Sequence, residues 1–274
     1  MLEVLIVFMV AIISSLIAPI MGIGGGSIFV PLLDLTTNRE LKEIIPISSA
    51  SIPATAMRST ARYLDRGIVN LRLAVVMVSL AMLGAFFGAL VMLQTPERIL
   101  RGVFGIVLLY GGYKILKKRR IILGEPKERN FFTASYYDEA EGRHIVYTPK
   151  NITKGLPLVF LGGFLSGLLG IGGGVVYTTV FILVLCMPPR IAVTLSMTLI
   201  LFSTTISALV YISTGRLIVE LAAVAILGSF IGSTIGSRLA LRIKNDHIKK
   251  IFVAFLTLMG LKMVLSSVFP TLLE

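Results

Sequence analysis

The chain has 274 residues, of which 55% are hydrophobic and only 15% charged, and its mean hydropathy is +0.92. That composition excludes an ordinary soluble globule, where about 25% of residues are charged, and points to an integral membrane protein made mostly of helices. The formal charge of +12 lies in short segments between apolar runs, with no basic face interleaved with aromatics, so nucleic acid is excluded as a partner.

The first apolar run, about 4–21, lacks a positive n-region and exceeds a usual signal-peptide core; it reads as a retained first helix. It stops at Gly22-Ile23-Gly24-Gly25-Gly26, and a short run follows at about 27–36. Ten helical residues cover about 15 Å, half of a roughly 30 Å hydrocarbon core, so this is a half-helix or a re-entrant piece. Longer runs follow at about 45–64, 70–93 and 98–116. The first carries Ser48, Ser49, Ser51 and Thr55, and Pro46 and Pro53 remove backbone donors from it. Arg58 lies well inside it, either as a functional intramembrane cation or as a snorkelling side chain.

A polar connector follows at about 117–154, opening with Lys117-Lys118-Arg119-Arg120. Its aromatic and β-branched runs flank a Gly-containing turn, which fits a small β-hairpin or a disordered linker. His144 reads there as a surface residue. The second half then presents apolar runs at about 155–170, 175–187, 190–212, 217–240 and 248–269. The single cysteine, Cys186, can form no intrachain disulfide, matches no metal-site spacing, and is expected as a small buried hydrophobe. This gives three units: a membrane repeat at 1–118, a connector at 119–150 and a second membrane repeat at 151–274.

The repetition is in register. At an offset of 148 residues the GIGGG of 22–26 falls on 170–174, Ser48 on Ser196, Tyr63 on Tyr211, Gly84 and Gly88 on Gly232 and Gly236, and Lys114 on Lys262. Ungapped register over more than 90 residues marks a tandem duplication, frequent in transporter folds. Equivalent loops carry opposite charge bias. Arg62, Arg66 and Arg72 crowd the loop after the third run of half one, against Arg216 and Glu220 in half two. Arg98 and Arg101 beside Glu97 then stand against Arg238, Arg242, Lys244, Lys249 and Lys250. By the positive-inside rule the halves are inverted, the connector is cytoplasmic against anionic lipid headgroups, and both termini lie outside the plasma membrane. The expected fold is therefore an all-α membrane protein of two inverted repeats, each with about five apolar segments and a short broken helix after GIGGG.

An unpaired backbone amide in hydrocarbon costs several kcal/mol, so a broken helix is tolerated where it lines a cavity or meets a ligand. The N–H groups around Gly24, Gly25, Gly26 and Ser27, and around Gly172, Gly173 and Gly174, form helix N-termini suited to an anion. In an inverted pair the two termini converge on one site near the midplane. Ser48, Ser49, Thr194 and Ser196 add hydroxyls suited to an oxyanion, with back-bonding to the helix as the bland reading. Helix packing through small residues is preferred for Gly84/Gly88 and Gly228/Gly232/Gly236. It is not preferred for GIGGG, where three consecutive glycines exceed what packing needs. The glycine-rich run at 217–240 is a candidate homodimer face. No nucleotide, metal or other cofactor signature is present, and the acids near the apolar runs, Asp34, Asp65 and Glu220, lie at their ends, which does not support a proton relay.

The twice-repeated GxGGG, Val30-Pro31-Leu32 after the first copy, and the AVxxS run at Ala192–Ser196 resemble the TauE/SafE family of sulfite exporters over nearly the whole chain apart from 120–150. The resemblance implies a permease for small sulfur-containing anions such as sulfite, sulfoacetate or other organosulfonates, with Gly24–Ser27, Gly172–Gly174, Ser48 and Ser196 as candidate ligands. The chain departs from the family pattern at Ile47-Ser48 and Leu195-Ser196, where Thr-Ser is frequent, and at Thr178-Thr179, which replaces Val-Pro. The resulting reading is a secondary transporter working by alternating access; a passive anion channel using the same glycine cradle is the alternative. An enzyme is not expected, because both histidines lie in polar segments and the cysteine is isolated.

Overall fold

The computed structural model describes residues 1–37, 39–116, 130–138, 142–242 and 246–268. Among these, five helices form the first half: α1 (Leu2–Met21), α2 (Gly26–Thr36), α3 (Leu41–Asp65), α4 (Leu71–Gln94) and α5 (Glu97–Leu116). A hairpin of β1 (Ala134–Asp138) and β2 (Arg143–Tyr147) follows. The second half contains α6 (Ile152–Leu169), α7 (Gly174–Leu183), α8 (Pro189–Ser213), α9 (Val219–Arg242) and α10 (Asp246–Val268). Both ends of α8 stand 148 residues after those of α3, and both ends of α9 148 residues after those of α4. Five helices (α1, α4, α6, α8 and α9) are long and apolar enough to cross a membrane, so this is a multi-pass integral membrane protein.

The glycine breaks lie where the sequence places them. α1 ends at Gly22 in the left-handed conformation (φ 66°), with the Gly22 N–H donating to Ala18 O. α6 ends in the same way at Gly170 (φ 64°), donating to Ser166 O. The short helices then double back. Arg39, just after α2, pairs with Glu3 at the start of α1. In the second half the Lys150 N–H and Asn151 Nδ2, at the start of α6, donate to Leu185 O (3.0 Å) and Val184 O (3.2 Å), just after α7.

The long helices pack across the halves through the glycines read as packing residues. α4 lies on α6, where a Cβ on Gly84 would stand 2.1 Å from Phe160 O and one on Gly88 2.0 Å from Phe164 O. α1 lies on α9, where a Cβ on Gly232 would stand 2.3 Å from Ile12 O and one on Gly236 2.2 Å from Leu16 O. Ile12 and Leu16 stand 148 residues before Phe160 and Phe164, so the two interfaces repeat each other. In lipid such contact depends on close backbone approach, which small residues permit. The glycine face of α9, expected as a dimer surface, is instead covered by α1 of the same chain. α3 and α8 pack on each other at the centre, with α9 against α3 and α4 against α8.

The described residues of the connector include the hairpin. Antiparallel pairing of Tyr136 with Ile145 and Ala134 with Tyr147 puts Tyr136, Ile145 and Tyr147 on one face, buried in a cluster with Ile68, Leu185 and Met187. Burial pushes the Tyr147 hydroxyl up to about 12, so it stays protonated at neutral pH. Tyr137 and His144 stack on the opposite, exposed face. The basic run at 117–120, Lys244 and residues 139–141 of the turn lie outside the described residues. Cys186 corrects the sequence reading: it is exposed, because it occupies a left-handed turn position (φ 54°) after α7 rather than an apolar helix face.

Gly88→Leu and Gly236→Leu force a side chain against a facing backbone carbonyl that cannot swing aside. Overpacking of this kind costs at least about 1–3 kcal/mol, so each variant melts about 5 °C or more below the wild type in detergent, read by intrinsic tyrosine fluorescence or light scattering.

Candidate functional site

The two breaks meet. A Cβ on Gly26 would stand 2.1 Å from Gly170 O and 2.7 Å from Ile171 Cα. One on Gly174 would stand 2.4 Å from the Ile23 carbonyl, and one on Gly24 2.8 Å from Ile171 O. Gly24 (φ 82°) and Gly172 (φ 81°) also need the left-handed region. The sequence argument that GIGGG exceeds what packing needs is corrected here: Gly24, Gly26 and Gly174 are required for the breaks to touch. Gly25 is the exception. Its φ is −66°, and the nearest atom to an added Cβ is 3.8 Å away.

Four carbonyls freed by the breaks, those of Pro19, Gly22, Gly167 and Gly170, accept from side chains, several of them from the other half. Ser48 Oγ on α3 donates to Gly170 O (2.7 Å), and Ser196 Oγ on α8 donates to Gly22 O (2.9 Å). Gly22 O also accepts from Thr178 Oγ1 on α7 (2.8 Å). The hydroxyl of Tyr63 donates to Pro19 O (3.3 Å) and that of Tyr211 to Gly167 O. Four of these five contacts form two pairs related by the 148-residue offset: Ser48 to Gly170 with Ser196 to Gly22, and Tyr63 to Pro19 with Tyr211 to Gly167. The donor side differs. The first helical bonds of α2 run from the Ile28 and Phe29 N–H groups to Gly25 O, and those of α7 from Val176 and Tyr177 to Gly173 O. The N–H groups of Gly26 and Ser27, and of Gly174 and Val175, precede them and lack an intrahelical acceptor. The paired breaks therefore present donors, while the carbonyls of Pro19, Gly22, Gly167 and Gly170 are already engaged.

The remaining candidates divide. Ser27 Oγ donates to Gly24 O (3.1 Å) and Thr194 Oγ1 to Ile191 O (2.9 Å), both local contacts. Ser49 is fully buried and its hydroxyl has no hydrogen-bond partner among the described residues. It shares a helix face with Ile45, Ser48 and Ile52, which lie against the breaks. Arg58 is not brought to the breaks: its Nε donates to Thr234 Oγ1 (3.3 Å), and its guanidinium lies over the Phe230 ring (4.9 Å), both on α9.

Two features escaped the sequence reading. Ile52 and Ile200 lie over the breaks: a Cβ on Gly26 would stand 2.9 Å from Ile52 Cδ1, and one on Gly172 3.1 Å from Ile200 Cγ2. Their 148-residue spacing was the available signal. The second is a buried charge cluster. Asp34, near the end of α2 as expected, has a side chain only 3% exposed; it binds Arg101 Nη1 on α5 (2.8 Å) and Lys262 Nζ on α10 (3.4 Å). Arg101 Nη2 also binds Glu97 Oε1 (2.7 Å), which accepts the Leu41 N–H (3.1 Å). The carboxylate is balanced by two cations and anchors α2 to α5 and α10. Among the described residues no group of three or more His, Cys, Asp or Glu could hold a metal.

The family model for the sulfite exporter TauE/SafE matches residues 7–263. The chain belongs to the TauE/SafE family. Members of this family are transporters and not enzymes, and together with the membrane-spanning helices the assignment supports a transporter of small anions. Two proteins of Bacillus subtilis (strain 168) are similar. "Probable membrane transporter protein YunE" is 24% identical over 273 residues, covering 96% of this chain and 98% of that protein. "Probable membrane transporter protein YdhB" is 24% identical over 238 residues, covering 87% and 89% respectively. No solved structure matches the chain.

The two cross-half serines differ in a measurable way. Ser48→Ala leaves Gly170 O without its side-chain donor and costs about 1–3 kcal/mol of stability. Ser196→Ala leaves Gly22 O with Thr178 and costs less, with Ser196→Ala/Thr178→Val restoring the larger loss. Thermal unfolding of the purified variants checks the order.

Proposed function

We propose that this protein is a secondary transporter of small sulfur-containing anions, such as sulfite or organosulfonates, that binds its substrate near the midplane between the two glycine breaks. The observation that carries the reading is the imbalance at the breaks: the carbonyls of Pro19, Gly22, Gly167 and Gly170 are engaged by Ser48, Ser196, Thr178, Tyr63 and Tyr211, while the first N–H groups of α2 and α7 lack intrahelical acceptors. One helix terminus contributes about 0.3–2 kcal/mol, less than the roughly 3 kcal/mol or more for burying a charge at mid-membrane. Two termini plus several charge-assisted hydrogen bonds, at about 1.5–3 kcal/mol each, suffice. Ser49 supplies a further hydroxyl from α3.

Helix ends support an inverted arrangement. The starts of α1, α3 and α5 share one end with the close of α2 and α10, through Glu3–Arg39, Leu41–Glu97, Asp34–Arg101 and Arg98 Nε to Ser267 O (2.6 Å). The starts of α4 and α6 share the other end with the hairpin segment, through Asn70 Nδ2 to Phe132 O (2.8 Å) and Asn130 Nδ2 to Pro149 O (3.1 Å). On this reading each half is a re-entrant pair followed by three spanning helices, residues 1–118 and 151–274, joined by a cytoplasmic connector. An odd number of crossings inverts the second half, and rocking of one half against the other exposes the shared site to each face in turn.

Two experiments test this. Proteoliposomes preloaded with unlabelled sulfite accumulate labelled sulfite transiently, as a carrier does and a channel does not. Gly25→Ala, at the one motif position with ordinary φ and room for a Cβ, lowers that overshoot while keeping the melting temperature; unchanged overshoot contradicts the site. For orientation, Asp65→Cys and Ser213→Cys, both exposed, are compared in a Cys186→Ser background. They label from opposite faces of the membrane, and labelling from one face refutes the inversion.

A further inference from the structure

The two breaks are not equivalent, and the difference is chemical. Gly25 and Gly173 stand at the same repeat position, yet φ is −66° at the first and +69° at the second. The crowding differs too. An added Cβ at Gly25 would meet nothing closer than 3.8 Å, whereas one at Gly173 would lie 2.4 Å from Gly162 O and 3.0 Å from Cζ of Tyr177. The ring carbon that bears the Tyr177 hydroxyl is therefore placed directly at the second break.

That hydroxyl is unusual. Tyr177 is fully buried, its OH has no hydrogen-bond partner among the described residues, and it faces Ser203 without reaching hydrogen-bond geometry. Ser203 and Ser166 are also fully buried and stand 3.4 Å apart through their hydroxyls. Leaving a buried hydroxyl unpaired in an apolar interior is costly, and native structures rarely tolerate it without a ligand, water or functional reason. The first half does not share the feature: Phe29, Thr55 and Ala18 occupy the equivalent positions, so three hydroxyls on one side face one on the other.

We infer that Tyr177 is a substrate-binding residue that donates its hydroxyl to an oxygen of the transported oxyanion on the α7 side, with Ser203 and Ser166 orienting it. The inference rests on the transport reading above and deepens it. The glycine N–H groups supply donors from both halves, as an inverted pair requires. The Tyr177 hydroxyl adds a donor from one half only, so an anion with several oxygens is held in one orientation. Oxygen-rich sulfur anions profit from the extra donor; a spherical halide, already served by the N–H groups, profits less.

Tyr177→Phe tests this with little disturbance, because phenylalanine already fills the equivalent site at Phe29. In sulfite counterflow the variant shows a KM raised about tenfold or more, the loss of one hydrogen bond to a charged ligand, with its melting temperature unchanged in the absence of anion. Competition by chloride is affected much less than competition by sulfite. Ser203→Ala, which leaves the ring in place, raises KM by a smaller factor and keeps the test available should the first variant fold poorly. In wild-type protein labelled with 3-fluorotyrosine, the 19F line missing from Tyr177→Phe shifts when sulfite is added. Wild-type flux with an unchanged KM in Tyr177→Phe, or a 19F line indifferent to sulfite, overturns this inference alone. Absence of wild-type sulfite counterflow overturns the transport reading and the inference with it.

Discussion

Backbone polar groups in hydrocarbon must find partners, and that requirement organises this protein. The chain interrupts its apolar helices twice, freeing carbonyls at the ends of α1 and α6 and N–H groups at the starts of α2 and α7. Each half satisfies its own break only in part, through Tyr63 to Pro19 O and Tyr211 to Gly167 O. Gly170 O depends on Ser48 of the first half, and Gly22 O on Ser196 and Thr178 of the second. The duplication is thus a mutual completion, and separating the halves would expose both sets of carbonyls at once.

The rest of the architecture holds the breaks in contact. Backbone contact of α4 with α6 and of α1 with α9, each through a pair of glycines, brings opposite halves within reach of one another. The Asp34–Arg101–Lys262 cluster fixes the outer part of α2 to α5 and α10, so α2 can present its N-terminus inward without drifting. The hairpin covers the turn after α7 through Tyr136, Ile145 and Tyr147. The symmetry is broken at the second break, which carries Tyr177 and Thr178 in place of Phe29 and Val30.

Much of this was legible in the sequence because it is encoded in spacing. The 148-residue offset located the equivalent helices, the short segments and the packing glycines, all of which follow from local periodicity. Contacts between residues distant in the chain were not legible. Nothing in the sequence shows that the Ser48 hydroxyl ends on a carbonyl 122 residues away, or that Asp34 is buried between Arg101 and Lys262. GIGGG was read for its donors, while the close approach that demands Gly26 and Gly174 depends on the facing backbone. Cys186 was misjudged because its apolar neighbours suggest a buried run, whereas α7 ends before it. Arg58 was recognised as an intramembrane cation, but only the fold shows that it turns toward α9.

The most direct measurement is anomalous diffraction from crystals of the protein grown with selenite, an isostere of sulfite, recorded at the selenium edge. The account predicts one selenium peak between the breaks, within hydrogen-bond reach of the N–H groups of Gly26 or Ser27 and of Gly174 or Val175. A peak confined to another part of the molecule, or none at concentrations that saturate transport, would contradict it.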